Sequence, residues 1–208
     1  MATKVKQAET SRQRLLDAAL REFRSRGYAA TSVDDLCRSA GVGKGSFFHH
    51  FQSKEALALE AVSHWNAMTG ALFAQASYHA PKDPLARVLA YIDFRAAMLA
   101  GALPDFTCLL GTLVQETFDS HPALCAACRD GIEAHALTLV QDLAEAKAKH
   151  APDADFSPQS LALFTQAALQ GAFILAKAKG GAEAAADAVT HLRRYVESLF
   201  PPTRTTRK

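Results

Sequence analysis

Apolar residues recur at helical spacing along almost the whole chain, and this periodicity limits the possible folds more than any other feature. The first such segment runs from a capping residue, Thr10, to a terminating glycine, Gly27, and one of its faces carries Leu15, Leu16, Ala19, Leu20 and Phe23. Comparable patterns cover residues 85–99, 105–115, 122–149, 158–178 and 182–199. Because no segment alternates apolar and polar residues as a strand does, we predict an all-α protein of about nine helices.

Basic residues are concentrated at the N-terminal end. Residues 1–54 contain 10 Lys and Arg against 5 Asp and Glu, a net charge of +5. Residues 55–208 contain 13 against 16, a net charge of −3. A basic segment of this kind is typical of a protein whose N-terminal part meets a polyanion. Chance asymmetry would give the same distribution, so charge alone leaves both interpretations open.

Residues 31–54 have the pattern of a helix-turn-helix. Thr31 and Ser32 can cap a first short helix, and Gly-Val-Gly at 41–43 can form the tight turn before a second one. An ordinary helical hairpin, whose basic residues are merely solvated, would give the same pattern of caps and turns.

The second helix of a helix-turn-helix lies in the major groove and presents short polar residues from its first turn. Lys44, Gly45 and Ser46 occupy that turn here, and Gly45 would let the backbone come close to the bases. The side chains of His50 and Lys54, together with the Thr31–Ser32 cap, are suited to phosphate contacts.

The segment TSVDDLCRSAGVGKGSFFHHFQSKEAL, residues 31–57, resembles the head of a TetR/AcrR-family repressor. The resemblance implies a homodimeric transcriptional repressor that binds a palindromic DNA operator and is released by a small-molecule inducer. From the polar N-terminus we also expect a cytoplasmic chain. Residues 1–54 would be the helix-turn-helix DNA-binding domain, 55–200 the ligand-sensing and dimerisation domain, and 201–208 a flexible basic tail.

The same resemblance assigns roles to individual residues of the motif. Lys44, Gly45 and Ser46 would face bases or nearby phosphates, while His50, Lys54 and the N-terminus of the helix starting at Ser32 would hold phosphates. Phe48 stands where the family usually has a tyrosine whose hydroxyl meets a phosphate. Because phenylalanine cannot donate a hydrogen bond, that contact is the one departure from the family pattern.

Two C-terminal helices carry the features of a dimer interface. Ala185, Val189, Leu192, Val196 and Leu199 follow heptad spacing. The preceding helix, 158–178, is apolar nearly all round and so needs cover on two sides. We therefore expect residues 158–199 to form a four-helix interface with a second copy. A core wholly within one chain would hide the same faces.

Cys108 is the candidate sensing residue. If Asp105 caps a helix, Cys108 lies in its first turn, where the helix dipole would stabilise a reactive thiolate. Phe106, Leu109 and Leu110 favour instead a buried structural cysteine.

A second resemblance concerns the residues that follow Cys108. Cys-Leu-Leu-Gly at 108–111, Gln-Glu at 115–116 and His-Pro-Ala-Leu at 121–124 are similar to the branch of the family related to the N-ethylmaleimide repressor and acrylate-responsive regulators. That resemblance implies covalent sensing of electrophiles or oxidants at Cys108, with Lys177 as its partner. A small apolar ligand bound without covalent chemistry is the alternative.

Other functions have weaker support in the sequence. Cys125 and Cys128 lie near two histidines, but one helix cannot wrap four ligands round a metal, so we expect packing thiols, with a resolving role toward oxidised Cys108 as an alternative. No motif of a catalytic site occurs, and we expect neither enzyme activity nor a cofactor. An all-helical enzyme or ligand carrier is the remaining alternative of another class.

Two uncharged stretches, 61–81 and 156–176, are long enough to cross a membrane. Both contain several polar residues, so we interpret them as buried helices and expect no membrane association.

Overall fold

The computed structural model describes residues 10–200, and within that range all regular structure is helical. Eleven α-helices follow one another: α1 Ser11–Arg26, α2 Val33–Ala40, α3 Lys44–His50, α4 Lys54–Ala74, α5 Pro84–Ala97, α6 Leu103–Phe106, α7 Leu109–Thr117, α8 Pro122–Leu137, α9 Val140–His150, α10 Pro158–Lys179 and α11 Glu183–Ser198, with a 3₁₀ turn at Ser77–His79. The all-α prediction is confirmed. The predicted basic tail, 201–208, lies outside the described residues.

Two predicted helices are each divided, which explains eleven helices where about nine were expected. The helix predicted at 105–115 is interrupted where Thr107 adopts an extended conformation and its hydroxyl donates to the Leu103 carbonyl, 2.8 Å away. The helix predicted at 122–149 is interrupted at Thr138, whose hydroxyl donates to the His135 carbonyl at 2.7 Å. In both places a threonine hydroxyl bonds to a carbonyl of the preceding turn at the point where the helix ends.

The described chain forms two compact units. One contains residues up to 67 together with 109–128, and the other contains 68–108 and the residues from 129 onward. This division by packing differs from the predicted functional boundary at residue 54, because α7 and the start of α8 pack with the N-terminal helices. The functional boundary itself stays a prediction.

The N-terminal unit is built round α1. This helix packs against α2, α3 and α7, and the largest side chains that become fully buried in the unit are apolar: Leu15, Phe23, Leu36, Phe47, Phe51, Leu57, Leu109, Leu113 and Leu124. Thr10 caps α1 through the Gln13 amide, and Gly27 ends the helix with φ +86°, as the capping pattern predicted.

The second unit has its own hydrophobic core, to which α5, α9, α10 and α11 all contribute. Here the structure corrects one prediction. The heptad residues of α11, Ala185, Val189, Leu192 and Val196, are buried in this core within a single chain. The alternative of an intramolecular core therefore holds for this seam, because α5 and α10 already cover it.

Helix α10 is buried on one side only. By length and composition it is the one described helix that could cross a membrane, with a mean hydropathy of 1.3 over its most apolar window, 44% of which is buried. Its other side exposes small residues flanked by large apolar ones, and Phe164 there meets Tyr195 of α11 edge-on at 5.1 Å. We call this exposed set the α10 face: Leu163, Phe164, Ala167, Ile174, Leu175 and Tyr195.

Candidate functional site

The start of α2 is fixed by a reciprocal capping box. The Asp35 amide donates to Ser32 Oγ at 3.1 Å, and the Ser32 amide donates to Asp35 Oδ2 at 3.0 Å. Asp35 also pairs with Arg38 at 2.9 Å and with Arg26 at 3.3 Å. The hydrogen bonds from Ser32, followed by that from Arg38, hold the pKa of Asp35 well below its usual range. The first helix of the predicted motif therefore begins at a defined point.

The turn between α2 and α3 uses glycine where the backbone requires it. Gly41 has φ +62° and closes α2, and its amide donates to the carbonyls of Cys37 and Arg38. Phe47 and Phe51 are buried and hold α3 against the rest of the unit. Cys37 is also buried, and desolvation raises the pKa of its thiol. The geometry is that of a helix-turn-helix.

The outer side of α3 is open to solvent. Gly45, Phe48 and His49 lie at positions i, i+3 and i+4, so they share one helix face, and Lys44 precedes them at the first position of the helix. Phe48 is 56% exposed although it is a large apolar residue. Lys44 Nζ lies 2.8 Å from Asp34 Oδ1, and this hydrogen bond raises the pKa of Lys44. We call these four residues the α3 face.

Gly45 does not owe its identity to internal packing. A Cβ built at this position would meet no atom within 4 Å, and its φ is not in the left-handed region. Glycine in a helix costs about 0.5–1 kcal/mol relative to alanine. The open space around this glycine leaves room for something outside the chain to approach the backbone here. Ser46, beside it, is half-buried.

Three residues predicted to contact phosphate have other partners. Thr31 is fully buried, and its hydroxyl donates to the Gly27 carbonyl at 2.6 Å. Lys54 Nζ donates to the carbonyls of Tyr28 and Thr31, at 2.9 and 3.0 Å. The Ser32 hydroxyl is engaged in the capping box. The structure thus gives Thr31 and Lys54 a part in fixing the backbone that precedes α2, because their polar atoms point into the protein.

His50 is half-buried, and its Nε2 lies 2.8 Å from Ser11 Oγ on α1. One ring nitrogen is therefore occupied within the protein. His49, which the sequence reasoning did not single out, is more exposed and belongs to the α3 face. The signal that could have found it is its spacing of four residues from Gly45.

Cys108 occupies a different place from the one predicted. Asp105 caps α6, accepting from the Ala102 amide at 2.8 Å, and Cys108 lies just before the first residue of α7. The side chain is half-buried and packs against the hydrophobic core of the second unit. Lys177 lies in the last turn of α10 and is also half-buried, next to Ala176 of the same core. None of the four cysteines forms a disulfide.

A polar network crosses the core of the second unit. The Tyr91 hydroxyl lies 3.0 Å from His135 Nε2 and accepts from Gln166 Nε2 at 3.0 Å. Arg95 Nη1 lies 3.2 Å from both the Tyr91 hydroxyl and His135 Nε2. The rings of Phe73, Tyr91 and Phe173 surround the guanidinium at 5.3–5.9 Å. Desolvation, and then the positive charge of Arg95, lower the pKa of His135 to about 4.

The remaining cysteines show no sign of a metal site. Cys128 is buried and Cys125 is half-buried on α8. Among residues 10–200, no group of three or more His, Cys, Asp or Glu side chains is arranged to hold a metal ion.

Two family models match the chain. Residues 15–61 match the model described as bacterial regulatory proteins, tetR family. Residues 84–192, more than half of the chain, match the tetracyclin repressor-like C-terminal domain. The transcriptional regulator AcuR of Cereibacter sphaeroides is 29% identical over 170 residues, which is 82% of this chain and 78% of AcuR.

Solved structures share the fold. The reduced form of E. coli NemR, the N-ethylmaleimide repressor, superposes with a TM-score of 0.77 at 23% identity and covers 94% of this chain and 99% of its own. A cysteine mutant of the TetR family regulator CifR, complexed with double-stranded operator DNA, has a TM-score of 0.72 at 20% identity and covers 86% and 94%.

Proposed function

From the premise that the chain belongs to the TetR family of DNA-binding transcriptional regulators, we propose that it is a cytoplasmic repressor that binds a palindromic operator as a homodimer and releases it when an inducer acts on the second unit. Its relatives and fold neighbours are regulators rather than enzymes. The α3 face is the operator-reading surface in this proposal. The observation that carries it is the place of Gly45, an exposed glycine in the first turn of the second helix of the motif, on one face with the exposed Phe48.

Gly45→Gln tests the reading surface. The substitution has open space within the protein and removes a helix-weakening glycine, so stability should rise by about 0.5–1 kcal/mol. The longer side chain would meet a base edge or phosphate, and operator affinity should fall by about tenfold or more. Gly70→Gln is the matched control, since Gly70 is also helical, exposed and surrounded by open space. Equal operator affinity of the two variants in an anisotropy titration would contradict the proposal.

The inducer acts, in this proposal, through Cys108. Support comes from its partly accessible position beside the core of the second unit, from its place directly before α7, and from the similarity to AcuR and to the NemR fold. Addition of the Cys108 thiolate to an electrophilic alkene forms a thioether, and the adjacent carbon takes up a proton. The added bulk in a packed site would favour a second arrangement of the helices. Lys177, near the same core, would support the thiolate.

Cys108→Ser tests covalent sensing. The parent should lose operator affinity by about a hundredfold after mild treatment with N-ethylmaleimide or hypochlorite, which corresponds to about 2.7 kcal/mol. Cys108→Ser should bind the untreated operator normally and stay bound after treatment, whereas the control Cys125→Ser should be released like the parent. Mass spectrometry should find Cys108 modified first, and more slowly in Lys177→Ala. Release of Cys108→Ser as readily as the parent would show that Cys108 is structural.

A non-covalent inducer is the second candidate, and the network round Tyr91 favours it. Aromatic rings with a few convergent polar groups are the usual surroundings of a small bound molecule. Release of the Cys108→Ser variant by an unreactive aromatic compound, together with a rise in melting temperature, would support this candidate over covalent sensing.

The homodimer forms, in this proposal, through the α10 face. The α10 face contains no charged side chain, and the small residues between its large ones allow a second helix to approach closely. Two helices from each copy would still make the four-helix interface expected from the sequence, but through the exposed side of α10 rather than through the heptad seam of α11.

A further inference from the structure

The backbone between α1 and α2 makes a sharp turn whose conformation is held by several side chains. We call residues 27–31 the α1–α2 turn. Gly27 has φ +86°, its amide donates to the Phe23 carbonyl at 3.0 Å, and the Thr31 amide donates to the Tyr28 carbonyl at 3.2 Å. Because Ser32 caps α2 directly after this turn, the turn determines where α2 begins.

A carboxylate from a distant part of the chain closes over this turn. Glu116, the eighth residue of α7, accepts a hydrogen bond from the Ala29 amide at 2.9 Å, across 87 residues of sequence. A Cβ on Gly27 would overlap the Glu116 carboxylate, so the missing side chain is what lets the carboxylate approach. Glycine is therefore required at position 27 for two separate reasons, its positive φ and the space that the Glu116 carboxylate occupies.

Two further side chains complete the arrangement within the same unit. Lys54 Nζ donates to two carbonyls of the turn and lies 4.2 Å from the centroid of the Tyr28 ring. The ring of His121 meets Tyr28 edge-on at 5.0 Å. Burial lowers the pKa of Lys54, and the negative charge of Glu116 opposes that effect. Charged groups of both signs, from two separate places in the sequence, thus hold one turn of backbone.

We propose that Glu116 is a positioning residue for operator binding: its carboxylate anchors the α1–α2 turn and so sets the placement of α2 and α3. The inference rests on the proposed function of the α3 face. Removing Glu116 should change operator affinity in the direction opposite to the one that charge alone predicts. A carboxylate repels DNA, so removing one should leave affinity unchanged or raise it, whereas removing a positioning contact lowers it.

Glu116→Ala and Glu116→Gln form the test, with operator affinity measured by anisotropy at several salt concentrations. We expect Glu116→Ala to bind about tenfold more weakly than the parent, with an unchanged slope of log affinity against log salt, because no phosphate contact is lost. Glu116→Gln should recover most of the affinity, since its amide oxygen can still accept from Ala29. Glu133→Ala removes an exposed carboxylate from α8 and is the matched control, with affinity equal to or above that of the parent.

Two results would overturn the proposal. One is Glu116→Ala binding as tightly as Glu133→Ala, and the other is Glu116→Gln being as defective as Glu116→Ala. Hydrogen exchange in the unmodified protein gives a measure that does not depend on how a variant folds: the Ala29 amide should be protected, and rapid exchange in the folded protein would refute the contact. Failure of the α3 assignment is distinguishable, because it would appear as normal binding by Gly45→Gln while the Glu116 comparison remained readable.

Discussion

At the scale of single residues, the most unusual group is His135. Arg95 can only donate hydrogen bonds, so His135 Nε2, 3.2 Å away, must accept, and the ring is neutral in the folded protein. Burial and the neighbouring guanidinium together lower its pKa from 6.5 to about 4. Protonation therefore favours the unfolded chain, in which the ring is solvated and far from Arg95.

Stability should consequently depend on pH in a defined window. The contribution of His135 is fully present above about pH 6.5 and is lost as the pH falls toward 4, so the protein should be about 2 kcal/mol less stable at pH 5 than at pH 7. His135→Gln keeps an acceptor for the Tyr91 hydroxyl but cannot titrate, and its urea-unfolding free energy should change little between these pH values. Asp35 and Asp83, whose pKa values are lowered, lose their contributions only below about pH 4. A parent and variant with the same pH profile would refute this account.

The exposed helix face was easier to predict from the sequence than the atoms that each side chain contacts. Lys44 and Gly45 lie on an exposed helix face as expected, because helical spacing and caps fix such faces locally. The side chains of Lys54 and Thr31 instead bond to carbonyls of the α1–α2 turn, and Glu116 accepts from the Ala29 amide of that turn, 87 residues away in sequence. No spacing rule reports a contact of that range, since it exists only once α1 and α7 pack together.

At the scale of elements, α10 and α11 show how an apolar pattern can be interpreted in two ways. The heptad spacing of α11 correctly identified a buried seam, but the covering helices belong to the same chain. The spacing of apolar residues indicates that a helix face is covered, but it does not indicate whether the same chain or a second copy covers it. The prediction that one side of α10 packs against its own core agrees with the burial pattern of that helix, and a partner on its exposed side stays a prediction.

Glutamate substitutions separate the two faces. Phe164→Glu places a charge on the exposed α10 face, so the chain should fold normally but dissociate, and operator affinity should fall by about tenfold or more. Leu137→Glu is the control, since it makes the same kind of change at an exposed apolar position of α8 and should leave the dimer intact. Leu192→Glu should unfold the chain, because Leu192 is buried. A Phe164→Glu variant that sediments as the parent does would exclude this interface.

At the scale of the whole molecule, the all-helical architecture was predictable because caps, glycines and apolar spacing all act within a few residues. The two interruptions, at Thr107 and Thr138, were not, because a threonine hydroxyl that bonds to a preceding carbonyl is compatible with both a continuous and a broken helix. The division into two units at residues 67, 108 and 128 could not be predicted from the sequence either, since it depends on α7 packing with the N-terminal helices.

The exposed apolar side of α10 has a consequence for gene dosage. If two copies must associate through it before both half-sites of an operator can be occupied, the binding-competent species grows with the square of the chain concentration whenever monomers predominate. Doubling the cellular amount of the protein would then raise operator occupancy about fourfold at low occupancy. The steepness of repression would be set by how many copies a cell makes, independently of any inducer.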